Sequence, residues 1–278
     1  MTESGMTENL ISEQGKVGTR SGRRVNLQMP NVPFQVNEAI NTLRGNIQLS
    51  GYDLKVIAVT SALKHEGKSS LSFLLANSFA GLQKRTLYID CDIRNSRVLV
   101  RYKVSRDVKG LTEYLVGDAR LGDVICKTPN PCLDMVFTGP MAPNPSELFS
   151  SEQFHQLLQM MRNQYDYVIV DTPPVNAVID GVLIAKECDG AVLVVESGVT
   201  DRRQSMRAKQ ELEFAGIRVL GAVLNKVGTR RSGYGYGYGY GYGYGYGRYG
   251  YGEEYGSERK KREGLFAKKS KTAKTKKK

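Results

Sequence analysis

Three short segments carry the residue types that phosphoryl chemistry needs. The first is TSALKHEGKSS, residues 60–70, where Gly67-Lys68-Ser69 follows an apolar run and opens a helical one. A turn at such a junction aims backbone N–H groups and a helix N-terminus at an anion. Glu66, Gly67, Lys68, Ser69 and Ser70 are therefore the nucleotide-binding candidates, with Lys68 reaching the β- and γ-phosphates and the Ser69 hydroxyl helping to hold Mg2+. The strict G-x-x-x-x-G-K-[ST] spacing is not met, because Ala62 stands at the first glycine position. The second segment, LYIDCDIR, puts Asp90 and Asp92 on one face of an extended strand. Two carboxylates there repel unless a cation or proton intervenes, which suits a Mg2+ ligand beside a group that deprotonates a hydroxyl. A solvated turn neutralised by Arg94 is the plainer alternative. The third segment, YVIVDTPP, ends an apolar run in Asp171, as a Walker B strand does, and makes Ser69, Asp92 and Asp171 the metal candidates. Asn225, in LNK after a late strand, either contributes to base recognition or simply ends the strand.

The elements that must position these groups are legible from periodicity. Apolar runs at 54–62, 85–92, 133–139, 165–171, 190–197 and 217–225 read as strands, several of them buried on both faces. Helical spacing at 36–50, 69–83, 151–164, 180–187 and 201–215 alternates with them, and mixed helical pieces lie between 92 and 133. Strands separated by helices imply βαβ crossovers, hence an α/β, P-loop NTPase-like, doubly wound and mainly parallel sheet with helices on both faces. Ligands of such sheets lie beyond the carboxyl ends of the strands, which is where all three segments fall. Together they predict ATP and Mg2+ as the ligands.

Composition divides the 278-residue chain. Residues 1–35 read as a polar, mobile arm, 36–228 as the P-loop domain, 229–256 as a flexible Tyr/Gly tract, and 257–278 as a basic disordered tail. Of the +12 formal charge, +10 belongs to residues 259–278, so the domain itself is close to balance. Two histidines and four scattered cysteines exclude a His-rich metal site and argue against a disulfide framework. No apolar run approaches the length of a membrane span, so the expectation is a cytoplasmic protein, with any membrane contact peripheral. Ten of the sixteen tyrosines lie in the tract: Tyr234, Tyr236, Tyr238, Tyr240, Tyr242, Tyr244, Tyr246, Tyr249, Tyr251 and Tyr255. Alternate glycines deny that tract a helix and leave each phenol reachable by an active site.

With these motifs in hand, the chain resembles the bacterial tyrosine kinases of capsule and exopolysaccharide synthesis, in NTLRGNIQLSG, KVIAVTSA, EGKSS, TLYIDCDIRNS, KGLTEYLVGD, PNPSELFSSEQF, YDYVIVDTPPV, VLNKV and the tyrosine-rich end. The resemblance implies ATP-dependent autophosphorylation of the C-terminal tyrosines, largely between protomers. It makes Lys68, Asp90 and Asp92 catalytic, with Asp90 activating the tyrosine hydroxyl. It also implies a separate transmembrane polysaccharide co-polymerase as modulator, a cognate protein-tyrosine phosphatase, and a homo-oligomer. The family's ring-forming E-x-x-R-x-x-R pattern stands here as Glu38, Asn41 and Arg44, on one helix face but one guanidinium short. Relatives carry Pro-Gly where this chain has Lys64-His65, and a site needing φ > 0 takes His less readily than Gly.

Two other readings remain open at this point. A cargo-positioning P-loop ATPase would share the fold, but residue 63 is Leu where those proteins have a signature lysine. A non-catalytic, Tyr-rich scaffold would use the tract for adhesive contacts. The basic tail suits contact with anionic lipid, and no specific nucleic acid is expected.

Overall fold

Val56–Ser61 is buried along its whole length, as a strand covered on both faces must be. It is an inner strand of an eight-stranded sheet in the computed structural model, which describes residues 22–104 and 107–228. The tyrosine row, the basic tail and residues 1–21 of the arm lie outside the described residues. In chain order the elements are β1 (Arg23–Arg24), α1 (Phe34–Leu49), β2 (Val56–Ser61), α2 (Lys68–Gly81), β3 (Thr86–Asp90), α3 (Val98–Arg101), α4 (Leu111–Leu115) and α5 (Leu121–Val124). There follow β4 (Ile125–Lys127), β5 (Leu133–Val136), α6 (Pro145–Phe149), α7 (Glu152–Gln164), β6 (Tyr167–Asp171), α8 (Asp180–Lys186), β7 (Gly190–Glu196), α9 (Arg202–Phe214) and β8 (Val219–Asn225). The strand order is β1-β4-β5-β3-β6-β2-β7-β8, parallel throughout except for the β4–β5 pair.

That order sets β2, β3 and β6 side by side, with Val59 opposite Asp171 and Asp171 opposite Asp90. The three chemistry-bearing segments therefore leave the sheet at one edge of its central strands. Apolar clusters on both faces fix this register. Ile57, Val59, Phe73, Phe79, Tyr88 and Ile169 pack on one side, and Leu87, Ile89, Phe154, Leu158, Val168 and Val170 on the other. Helix α7 is held on the second face by Phe154, Leu157, Leu158 and Met161, and its N-cap Ser151 accepts from the Phe154 amide.

The described part of the segment read as a mobile arm is packed against the sheet. Residues 22–33 add β1 to the sheet edge beside β4, bury Val25 and Leu27, and bond the Gln28 amide to the Tyr102 carbonyl at 3.0 Å. Helix α1 then starts at Phe34, behind Pro33. The signal was a two-residue alternation in RVNLQ, too brief to stand out from a polar segment. The region between 92 and 133 resolves into α3, α4, α5 and β4, whose pairing with β5 turns through a bend held by Thr128 and Asn130.

Candidate active site

After β2 the chain turns through residues 62–67 with two left-handed residues, His65 at φ 69° and Gly67 at φ 92°. A Cβ at 67 would also stand 2.2 Å from Asn225 Nδ2 and would displace that side chain. The turn is braced from inside and from across the sheet. The buried Glu66 carboxylate accepts from the Leu63 amide at 2.7 Å and from the Thr200 hydroxyl. Asn225 Nδ2 donates to the Glu66 carbonyl at 2.8 Å, and Lys226 Nζ donates to the His65 carbonyl at 2.6 Å and to Glu196 at 2.8 Å. The Glu66 side chain thus faces the protein, and Asn225 holds the loop as well as lining the cavity above it.

Lys68 opens α2, and its Nζ lies 2.8 Å from Asp92 Oδ2 and 3.9 Å from Asp171 Oδ1. Burial works against its charge, but Asp171 and Asp92 outweigh that and raise its pKa further. Asp90 is buried too, and desolvation with the nearby Asp171 charge lifts it to about 7, against hydrogen bonding from Ser96 and the charge of Lys68. Burial likewise raises Asp171, whose Oδ2 accepts from the buried Tyr88 hydroxyl at 3.2 Å. Asp171 Oδ1 has no hydrogen bond, and the Lys68 ammonium is in ion-pair range but beyond hydrogen-bond reach.

The solvated-turn alternative for Asp90 and Asp92 does not describe this arrangement, because both are buried. Arg94 does not neutralise them. Its Nε donates at 2.5 Å to Asp180, a buried carboxylate that also accepts from Ser146. Three buried carboxylates therefore share one ammonium, which leaves negative charge for a proton or a cation to balance. The orphaned Asp171 Oδ1 and the hydroxyl of Ser69 are hard oxygen donors suited to Mg2+. Among the described residues no trio of His, Cys, Asp or Glu forms a ready cage.

Above this floor opens a cavity of about 820 Å³. Lys64, Lys68, Arg94, Arg97, Arg101 and Lys226 line it, against Asp92 as the one lining carboxylate. Its size and charge suit a polyanionic ligand.

On α1, Glu38, Asn41 and Arg44 do share a face and bond in sequence: Asn41 Nδ2 to Glu38 at 3.1 Å, and Arg44 Nη1 to Asn41 at 3.1 Å. Arg44 is also drawn into its own chain, donating to the Ser78 hydroxyl at 2.7 Å.

Sequence reasoning missed the supports: Lys226, Thr200, Glu196, Ser96, Tyr88 and Asp180. Most lie far along the chain from the groups they hold, so spacing carried no signal for them. Lys226 was within reach, since it follows Asn225 at a strand end on the site's side of the sheet.

Loop, acids and parallel sheet define a nucleotide-binding P-loop protein, and the AAA domain family model matches residues 54–197. The chain belongs, more narrowly, to the bacterial tyrosine-protein kinases. It is 43% identical over 193 residues to the tyrosine-protein kinase CpsD of Streptococcus agalactiae, covering 69% of this chain and 84% of that one. It is similar to the solved kinase domain of Escherichia coli tyrosine kinase ETK, with a TM-score of 0.68 and 32% identity over 77% of this chain and 88% of the other. The septum site-determining protein MinD of Pyrococcus horikoshii shares the fold at a TM-score of 0.56 and 20% identity, over 64% of this chain and 72% of that one.

Proposed function

We propose that this tyrosine kinase transfers the γ-phosphoryl group of ATP to the tyrosines of its own C-terminal row, chiefly on a neighbouring copy. The observation that carries this reading is the Asp90–Asp92 pair buried at the strand end beside Lys68 and Asp171. Hydrolysis asks only for an oriented water, whereas a phenol, with its pKa near 10, gains from a carboxylate able to take its proton.

In the proposed step the phenol oxygen bonds to the γ-phosphorus, the bond to the β-bridging oxygen breaks, and ADP leaves. The phenol proton passes to Asp90, whose raised affinity for a proton suits it to that role. Lys68 and the amides of the loop hold the phosphates, so that positioning and charge neutralisation supply most of the rate. Ser69, Asp92 and Asp171 would hold Mg2+, which when bound offsets charge on the phosphate oxygens. Asn225 borders the cavity from β8 and serves the nucleotide from there.

Among the described residues no helix is long and apolar enough to cross a membrane. We place the chain at the inner membrane face through a separate transmembrane modulator, with a phosphatase reversing the modification. The α1 face of Glu38, Asn41 and Arg44 serves self-association, and control of capsular or exopolysaccharide synthesis is the output. The basic tail adds contact with anionic lipid. We keep residues 229–256 as the substrate tract and 257–278 as the basic tail.

A mixing experiment tests transfer between copies. Full chain carrying Lys68→Met is incubated with Mg–ATP and a second full chain whose ten tract tyrosines are Phe. Phosphate on the Lys68→Met chain is the expected result. Its absence, with the all-tyrosine wild type labelled alone, would restrict transfer to the chain's own tract.

A further inference from the structure

Two arginines among the cavity's lining cations stand without an acidic counter-ion among the described residues. Of its lining cations, Lys68 is committed to Asp92, Arg94 to Asp180 and Lys226 to Glu196. Arg97 and Arg101 have no acidic partner among the described residues and are exposed on the cavity wall. Their backbone is nonetheless fixed. Between them Val98 is buried, after them the Tyr102 ring packs on Phe73 with centroids 4.1 Å apart, and before them the Ser96 hydroxyl donates to Asp90 and accepts from the Val98 amide. Arg97 caps α3 and Arg101 ends it, four residues on, so both project from one side of that turn. Arg97 thus stands one residue, and Arg101 five residues, beyond the serine that holds the proposed base.

We infer that Arg97 and Arg101 dock an anionic group flanking the acceptor tyrosine, and that they set which tyrosine of the row is modified first. This rests on the autokinase reading above. The occupant is the C-terminal tract of a second copy of this chain. The tract holds two acidic residues, Glu253 and Glu254, directly before Tyr255, while the other nine tyrosines have glycine or arginine neighbours. Guanidinium pairs bind carboxylate and phosphate in a fork, so the same pair takes either. Glu253 and Glu254 therefore bring Tyr255 to the site first. The Tyr234–Tyr246 group, with no acidic residue close by in sequence, follows. Each event follows the balance already given, with phosphate onto the phenol oxygen, the proton to Asp90 and ADP released.

The test follows phosphate by site-resolved mass spectrometry over time, in wild-type full chain and in Arg97→Gln/Arg101→Gln full chain, both with Mg–ATP. In the wild type, occupancy at Tyr255 should lead the Tyr234–Tyr246 group by fivefold or more at early times. The double variant should lose that lead while KM for ATP stays within twofold. Tyr255 still leading in the variant, or KM for ATP rising tenfold with the order unchanged, overturns the inference, the latter by assigning the arginines to nucleotide. Glu253→Arg/Glu254→Arg combined with Arg97→Glu/Arg101→Glu should restore the lead, an outcome that a merely structural role for the arginines would not give.

Binding separates this inference from the kinase reading itself. A fluorescent peptide of residues 247–257 should bind wild-type full chain, without ATP, at least fivefold tighter than its Glu253→Gln/Glu254→Gln form, and that preference should vanish in the arginine variant. Equal binding of the two peptides by wild type would overturn the docking role even if the chain phosphorylates itself. A preference retained by wild type that makes no phosphotyrosine would sink the kinase reading and leave the docking site standing.

Discussion

Lys226 Nζ donates to the His65 carbonyl at 2.6 Å while its charge is paired with Glu196 at 2.8 Å, tying the phosphate loop after β2 to the end of β7 and the exit of β8. A left-handed, non-glycine residue in the loop is thereby fixed by a charged donor from the opposite side of the site. Lys226→Met should loosen the loop without unfolding the sheet. A charge-assisted hydrogen bond contributes about 1.5–3 kcal/mol, so KM for ATP should rise roughly tenfold. Steady-state kinetics over ATP concentration checks this, and an unchanged KM would show the brace to be idle.

His65 itself offers a stability measurement. At φ 69°, glycine relieves a steric cost but loosens the unfolded chain, and the two effects nearly cancel. His65→Gly should stay within about 1 kcal/mol of wild type, whereas β-branched His65→Val should lose about 1–2 kcal/mol or more. Urea midpoints distinguish the two, and equal losses would mean that the backbone at 65 is under no such demand.

Arg94, on the cavity wall, is the ion-pair partner of the buried Asp180. Removing the guanidinium strands a buried carboxylate with Ser146 as its remaining partner. Arg94→Ala should cost about 3 kcal/mol, and adding Asp180→Asn should restore a good part of it by removing the stranded charge. A double-mutant cycle by denaturant unfolding reads the coupling, and additive losses would refute the pairing.

Burial lifts Asp90 to about 7 and moves Asp171 in the same direction. The folded chain then keeps protons that the unfolded chain releases near the ordinary carboxylate value. This stability is fully present below that value and is lost as pH rises through about 7. Nucleotide-free protein in EDTA should therefore lose urea resistance from about pH 5 to about pH 8, and Asp90→Asn should flatten the slope. An identical slope in the variant would place the titration elsewhere.

Much of this architecture can be read from the residues alone. Apolar runs such as KVIAVTS and YVIVD have the length and β-branched content of buried parallel strands, and they place Lys68, Asp90, Asp92 and Asp171 at strand ends. Two features were not legible for different reasons. Residues 22–33 joined the sheet on the strength of Val25 and Leu27, a signal weaker than the polar sequence around it. Arg94 sits next to the acids in sequence yet turns to Asp180, because the carboxylate buried at the start of α8 has greater need of a cation than a pair already served by Lys68. Local spacing reports which face a residue occupies, and only tertiary packing decides its partner.

The central claim is that Lys68 and the Asp90–Asp92 pair modify the chain's own tyrosine row. Its most direct test is site-resolved phosphotyrosine mass spectrometry on full chain incubated with Mg–ATP and the modulator's cytoplasmic segment, beside Lys68→Met and Asp90→Asn/Asp92→Asn. Phosphate on tyrosines between Tyr234 and Tyr255 in the wild type, falling by a hundredfold or more in both variants, is the expected result. ATP consumed with those tyrosines unmodified, or phosphorylated equally in all three proteins, would contradict it.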